Sequence, residues 1–137
     1  MNRLHGCIIA IESNDYLSLV DVDIDGDTFT AILLETPASA PYLVVGNPVA
    51  VLFKETEVSL AKNLSGLLSL RNRLRGRVQH IRRGVILSEV ALDYQGQSVT
   101  SIITTRAVDR LNLQVGDEVE ALIKANEVSL MEVDDAL

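Results

Sequence analysis

The sequence predicts an all-β protein: two tandem small barrels of five strands each, with at most one short helix per barrel. Three observations carry this. Residues 1–60 and 71–130 are two versions of one unit, related by a constant shift of seventy residues without a gap. Asn2-Arg3-Leu4 returns as Asn72-Arg73-Leu74, Gly6 as Gly76, Gly46 as Gly116, Lys54 as Lys124, and Glu57-Val58-Ser59-Leu60 as Glu127-Val128-Ser129-Leu130. Aliphatic residues alternate with polar ones, which marks half-buried strands. Glycines recur between the alternating runs, where tight turns need them.

The elements follow in order. The first strand carries the apolar run Cys7-Ile8-Ile9. The second sets Val20, Val22 and Ile24 against Asp21, Asp23 and Asp25, and its copy holds Val90, Leu92 and Tyr94. Gly26 and Gly96, in Asp25-Gly26-Asp27 and Gln95-Gly96-Gln97, suit hairpins with positive φ. Further strands are expected over 28–34 and 49–53, with a last one ending near Leu60, each repeated seventy residues later. Five short strands with glycine turns suggest a barrel of the oligonucleotide- or oligosaccharide-binding (OB) type. Between the third and fourth strands of the second copy, Thr104-Thr105-Arg106-Ala107-Val108-Asp109-Arg110-Leu111 offers a threonine cap and apolar residues at helical spacing. The first copy has Thr36-Pro37-Ala38-Ser39-Ala40-Pro41 there, and Pro41 would interrupt a helix, so a shorter or irregular segment is expected.

Length alone suggests one domain, but the repeat argues for two units of about 60 to 65 residues, small enough that each should need a neighbour. The expected division is 1–61 as the first repeat, 62–70 as a short linker and motif start, and 71–137 as the second repeat. The chain is 47% apolar and only 4% aromatic, so its core is aliphatic. No apolar run approaches the roughly eighteen residues of a membrane span, and the N-terminus lacks the cationic start and apolar stretch of a signal peptide. A cytoplasmic location without a membrane partner is the expectation. The single cysteine, Cys7, cannot form an internal disulfide and reads as a small, half-buried residue.

Charge separates the copies. Residues 1–61 carry two basic side chains against nine acidic ones, whereas 62–137 carry ten of each, so the whole formal charge of −7 belongs to the first repeat. Six arginines, Arg71, Arg73, Arg75, Arg77, Arg82 and Arg83, fall within thirteen residues. An acidic protein with one basic segment suits a discrete anion better than a polyanion. For most of the six, a solvated strand face pairing with the acidic first repeat is the expectation. Arg71 is the exception because of its context.

That context is Ser69-Leu70-Arg71-Asn72-Arg73-Leu74-Arg75-Gly76-Arg77-Val78, which resembles the Ser-Ala-Arg-Asn-x-Leu-x-Gly-x-Val opening of the molybdate-binding Mop domains of the TOBE superfamily. Downstream, Ile81-Arg82-Arg83-Gly84-Val85-Ile86-Leu87-Ser88-Glu89-Val90 is similar to that family's Ile-x-x-Gly-x-x-x-x-Glu-Val. Ile123-Lys124-Ala125 is similar to its closing Ile-Lys-Ala strand. The resemblance covers residues 69 to about 131. The paired repeats look like the free-standing tandem form, without a DNA-binding or ATPase domain. It implies a non-catalytic, intracellular binder that stores or buffers molybdate or tungstate, without a covalent cofactor, assembled as a homotrimer with sites between chains. It further implies that Ser69, Arg71, Thr104 and Lys124 contact the oxyanion, and that Asn72 fixes the strand start or the anion. Thr105, Ala107 and Lys54 form a second tier of candidates; the family often has serine where Ala107 stands.

The chemistry of the residue types agrees. A tetrahedral dianion has four acceptor oxygens and a large hydration energy, so a site must replace water with charge-assisted donors. Arg71 offers a fork of N–H groups, Lys124 a point charge, Ser69 and Thr104 hydroxyls, and the Thr104–Ala107 turn backbone amides. The first repeat lacks most of this: Met1 stands at the arginine position, Leu34 replaces Thr104, and only Asn2 and Lys54 persist. It reads as a structural partner.

Asp21-Val22-Asp23-Ile24-Asp25-Gly26 copies half of an EF-hand loop, but position twelve is Ile32 and the second copy reads Ala91-Leu92-Asp93-Tyr94-Gln95-Gly96, so a strand is expected instead. A nucleic-acid-binding barrel would want stacking aromatics in its basic segment, and Phe29, Phe53, Tyr16, Tyr42 and Tyr94 all lie outside it. A regulatory module sensing another ligand, or docking on a transporter, is the third class. No nucleophile-base pair or phosphate loop points to an enzyme.

Overall fold

A computed structural model describes residues 1–133 of the chain. The first repeat supplies β1 (Asn2–Ser13), β2 (Ser18–Ile24), β3 (Asp27–Leu33), β4 (Pro48–Phe53) and β5 (Ser59–Ala61). The second supplies β6 (Asn72–Arg83), β7 (Leu87–Tyr94), β8 (Gln97–Thr104), the helix α1 (Thr105–Arg110), β9 (Glu118–Ile123) and β10 (Ser129–Glu132). These form two five-stranded antiparallel sheets, as the alternation predicts, and the expected helix begins at its threonine cap. In the first copy the corresponding stretch is a single turn in which the Ala40 N–H donates to the Thr36 carbonyl, in keeping with Pro41.

The sheets are not built from one repeat each. Their strand orders are β10-β4-β1-β2-β3 and β5-β9-β6-β7-β8, so the last strand of each repeat joins the sheet of the other. Leu130 lies opposite Val51, and Leu60 opposite Ala121. This exchange gives two modules near the lower size limit one continuous core, reaching from Leu4, Ile8 and Phe29 to Leu74, Tyr94 and Ile123.

Strand length departs from the expected five short strands. β1 and β6 each run twelve residues, and each bends at a register shift, between Ile8 and Ala10 and between Val78 and His80. The bend lets one strand pair with β4 or β9 along its first half and with β2 or β7 along its second. Gly6 and Gly76 sit just before it because a Cβ there would lie 2.5 Å from the Asp23 carbonyl oxygen and 2.9 Å from that of Asp93, respectively. The two-residue hairpins have positive φ at both central positions, 48° and 97° at Asp25-Gly26 and 49° and 84° at Gln95-Gly96.

Polar contacts tie the barrels together in a near-symmetric pair. The Asn2 amide donates to the Thr100 carbonyl (2.8 Å) and accepts from the Thr100 N–H (2.8 Å). Asn72 does the same with Thr30, at 2.8 and 2.7 Å. Both asparagines are buried. Two further contacts lack a counterpart seventy residues away. The Ser101 hydroxyl donates to the Val58 carbonyl (2.7 Å), and the Tyr94 hydroxyl donates to Asp27 (2.7 Å). Burial, followed by the Asp27 contact, raises the Tyr94 pKa above that of a free phenol. Among the described residues no helix is long and apolar enough to cross a membrane.

Candidate functional site

Asn72, the first residue of β6, lies opposite Ile123, the last of β9. Arg71 directly precedes this pair and Lys124 directly follows it, so both cations belong to the same end of the strand pair. Both are exposed, and among the described residues neither makes an ion pair.

The other five arginines of the basic segment behave differently. Arg73 reaches Glu120 at 2.6 Å, Arg75 the same carboxylate at 3.7 Å, Arg77 Glu118 at 3.2 Å and Arg82 Glu89 at 2.6 Å. Arg83 grips both oxygens of Asp109, at 2.7 and 2.8 Å. Their partners belong to the second repeat's own strands and helix, which corrects the expectation of pairing with the acidic first repeat. Cross-strand register explains the difference: Arg75, Arg77 and Arg82 lie directly opposite Glu120, Glu118 and Glu89. These contacts hold Glu120 and Asp109 below the usual carboxylate range, chiefly through the hydrogen bonds from Arg73 and Arg83.

Ser69 is exposed, two residues before Arg71 on the connecting segment. The start of that segment is fixed by Lys62, whose ammonium donates to the Leu111 and Asn112 carbonyls (3.2 and 3.0 Å) and to Asp117 (2.9 Å). Sequence reasoning gave Lys62 no role. Its only signal was a cation at the start of the linker.

Thr104 is placed elsewhere. It closes β8 opposite Leu87, at the end of the barrel where Arg83 pairs with Ser88. From Asn72 to Arg83 the strand runs roughly 35 Å of contour at about 3.3 Å per residue. The chain therefore brings Arg71 and Lys124 together beside Asn72 and holds Thr104 at the other end of the barrel.

The second-tier candidates have internal duties. The Ala107 N–H donates to the Thr104 hydroxyl oxygen (3.1 Å), and the Thr105 N–H donates to the Ile86 carbonyl (2.8 Å). The turn amides expected to face an anion are in these two cases already paired, because a six-residue helix uses its first N–H groups for capping. Thr105 is buried; its hydroxyl donates to the Gly84 carbonyl (2.9 Å) and so must accept from Ser88 (2.8 Å). The Asn72 amide is engaged with Thr30. Of its two expected duties, the structure displays the strand-fixing one.

The equivalent end of the first repeat has a different character. Asn2 lies opposite Phe53, which sets Met1 opposite Lys54. Here a carboxylate is present: Glu55 contacts the Met1 amino group, whereas the second repeat has Ala125 at that position. A hollow of about 170 Å³ beside Lys54 is also lined by Glu57 and Glu127. Lys54, like Lys124, makes no ion pair among the described residues, and what sets its neighbourhood apart is the adjacent carboxylate of Glu55.

Comparison with known proteins places this geometry. Residues 68–130 match the TOBE domain family. Molybdenum-pterin-binding protein 1 of Clostridium pasteurianum is 38% identical over 65 residues, 47% of this chain and 96% of that relative. The solved structure of the cytoplasmic molybdate-binding protein ModG, with molybdate bound, superposes with a TM-score of 0.90 at 34% identity, covering 96% of each chain. The chain belongs to the Mop family of TOBE domains. The molybdenum transport protein ModE of Herbaspirillum seropedicae is 33% identical over 127 residues, 90% of this chain. The chain spans 47% of the length of that relative.

As a tandem Mop protein the chain carries two unequal repeats. Asn2 and Asn72, alike in both copies, serve the fold. The positions that differ, Arg71 against Met1, Thr104 against Leu34 and Ala125 against Glu55, all leave the second repeat more favourable to an anion. Aromatic side chains do not form a stacking surface beside the basic segment: Phe29 and Phe53 stack on each other in the core with centroids 5.6 Å apart, and Tyr94 is buried. Together with the pairing of five arginines, this disfavours a nucleic-acid groove.

Proposed function

We propose that the protein binds molybdate or tungstate reversibly and without turnover, at sites shared between chains of a homotrimer, and serves in storage and homeostasis of the anion. The observation that carries the reading is that Arg71 and Lys124, flanking the last pair of the β6–β9 ladder, are both exposed and without a carboxylate partner among the described residues, while the other five arginines near Arg71 are all paired. Such a pair offers a forked N–H donor and an ammonium to a tetrahedral dianion, with Ser69 adding a hydroxyl. The names of the relatives and the molybdate held by ModG support the choice of ligand. Molybdate and tungstate have nearly the same size and charge, and both fit the reading.

The placement of Thr104 supports sharing between chains. Its hydroxyl proton is free to donate, because the oxygen accepts from Ala107, but it stands at the far end of the barrel from Arg71. A second copy can supply it. The rim beside Thr104 has the character of a covered surface: Val85, Ile86 and Leu87 are 97%, 76% and 54% exposed, and Leu67, close before Ser69, is fully exposed. In this reading residues 71–137 carry the anion, 62–70 position Ser69, and 1–61 complete the assembly.

Isothermal titration with molybdate in sulfate-containing buffer tests the proposal, with an Arg71→Ala, Lys124→Ala chain as control. Saturable heat that persists over sulfate and vanishes in the control is expected. A silent wild-type protein, with its oligomer intact, overturns it.

A further inference from the structure

The segment that leads to Ser69 and Arg71 is held to the barrels at its ends. Among the described residues, none from Asn63 to Leu70 donates or accepts a hydrogen bond. Positive φ at Asn63 (59°) and Gly66 (90°) lets the chain turn back from β5 toward β6. The far end is tied by Asn72, whose amide exchanges two hydrogen bonds with Thr30, at 2.7 and 2.8 Å. The near end follows β5, which pairs with β9 over only three residues, and is tied beyond them by Lys62.

Lys62 reaches both parts of the chain that hold candidate donors. Its ammonium donates to the Leu111 and Asn112 carbonyls (3.2 and 3.0 Å) and to Asp117 (2.9 Å), and its side chain is only 24% exposed. The hydrogen bond from Lys62, followed by that from the Gln114 N–H, holds Asp117 below the ordinary carboxylate range. Leu111 and Asn112 directly follow α1, and Thr104 caps the other end of that helix. The six residues between span roughly 9 Å at about 1.5 Å each. One side chain thus fastens the linker of Ser69 to the helix of Thr104.

The first repeat shows that the fold does not require such a tie. Seventy residues away, Lys62 corresponds to Glu132, Asp117 to Asn47 and Asn112 to Tyr42. There the Asn47 amide donates to the Tyr42 carbonyl (2.9 Å), so the turn is closed from within its own repeat. The Asp117 carboxylate has no proton to donate to the Asn112 carbonyl, and the donor comes instead from Lys62. The internal bond has been exchanged for an anchor on the linker, and the exchange occurs in the repeat that holds Arg71 and Thr104.

We infer that Lys62 is a positioning residue of the oxyanion site, fixing the linker so that Ser69 and Arg71 are already in place when the anion arrives. This rests on the oxyanion reading above and adds to it a residue that does not touch the ligand. A linker released at its near end would have to be ordered during binding, and that ordering weakens affinity.

The paired substitution Lys62→Met, Asp117→Asn tests this, because the new amide can close the turn as Asn47 does while the linker is let go. With its oligomeric state verified, the variant should unfold within about 4 °C of wild type. In titration calorimetry it should bind molybdate about three- to tenfold more weakly. Ser69→Ala should weaken binding in the wild type and have a smaller effect in the released background, a coupling that a purely structural lysine would not produce. Lys62→Gln with native Asp117 is a second release that does not depend on the new amide, and a loss of about twofold or more is expected. A folded release variant with wild-type affinity, a Ser69→Ala chain that binds as tightly as wild type, or a Ser69→Ala loss equal in both backgrounds would each overturn the inference. Wild-type protein that ignores molybdate would instead overturn the underlying oxyanion reading.

Discussion

The ends of β4 and β9 hold the same lysine in the same register, yet they are different chemical environments. Lys54 follows its strand beside Glu55, with Met1 before the neighbouring strand, whereas Lys124 follows its strand beside Ala125, with Arg71 before the neighbouring strand. The fold is shared and the field is not. A cation is a ligand for a dianion only where its neighbours leave its charge uncompensated, so one lysine in one fold can serve two purposes.

The largest expected effect breaks this comparison directly. Arg71→Ala and Lys124→Ala should each weaken molybdate binding by about 10- to 100-fold, the usual range for losing a charge-assisted hydrogen bond. Lys54→Ala should leave it within about twofold. Titration calorimetry reads all three, and an equal loss at Lys54 and Lys124 would remove the functional difference between the repeats.

The asparagine pairs sharpen it from the other side, because there the repeats should behave alike. Asn2→Ala leaves both backbone groups of Thr100 without their partner, and Asn72→Ala does the same to Thr30. Each should destabilise the protein by about 2–4 kcal/mol, from two buried polar groups losing their bonds. Urea unfolding measures this. A large cost at one asparagine and none at the other would show that the barrels are not held symmetrically.

These pairs also mark how far the sequence could be read. Strand positions, both hairpins and the Thr104-capped helix were legible because they rest on local rules of alternation, positive φ and capping. The seventy-residue shift made each copy a control for the other: Asn72, alike in both, turned out to hold the fold, and Arg71, present in one, makes no ion pair among the described residues. Three features were not legible. The exchange of β5 and β10 leaves the periodicity of a strand unchanged whichever sheet receives it. The partners of Arg73 to Arg83 depend on register with β7 and β9 and on where α1 lands. The remoteness of Thr104 from Arg71 follows from the two twelve-residue bent strands, which composition shortens into ordinary ones.

A smaller effect concerns the hydroxyl relay beneath Thr104. Thr105→Val keeps the shape and removes the donor to the Gly84 carbonyl and the acceptor for Ser88. A loss of about 1–2 kcal/mol is expected, recovered in Thr105→Ser. The first repeat has exposed Glu35 at that position, which accepts from the Tyr42 hydroxyl (2.9 Å), and Glu35→Val should cost no more than about 1 kcal/mol. Thermal unfolding compares the three.

The smallest effect is the acid response of the paired arginines. The hydrogen bond from Arg73, aided by the charges of Arg73 and Arg75, holds Glu120 below its ordinary value against a partial desolvation that pushes it up. A carboxylate whose folded pKa is depressed releases its proton more readily folded than unfolded. Its stabilisation is therefore complete above the ordinary glutamate range near 4 and is lost as pH falls through the lower folded value. Glu120→Gln should lower Tm at pH 7 by no more than roughly 2 °C, since exposed arginines contribute little. The gap between wild type and variant should then close as the pH falls below the ordinary glutamate range. A gap that widened on acidification would mean that Glu120 is held protonated in the fold, and the ion pairs of Arg73 and Arg75 would not be what distinguishes them from Arg71, which makes no ion pair among the described residues.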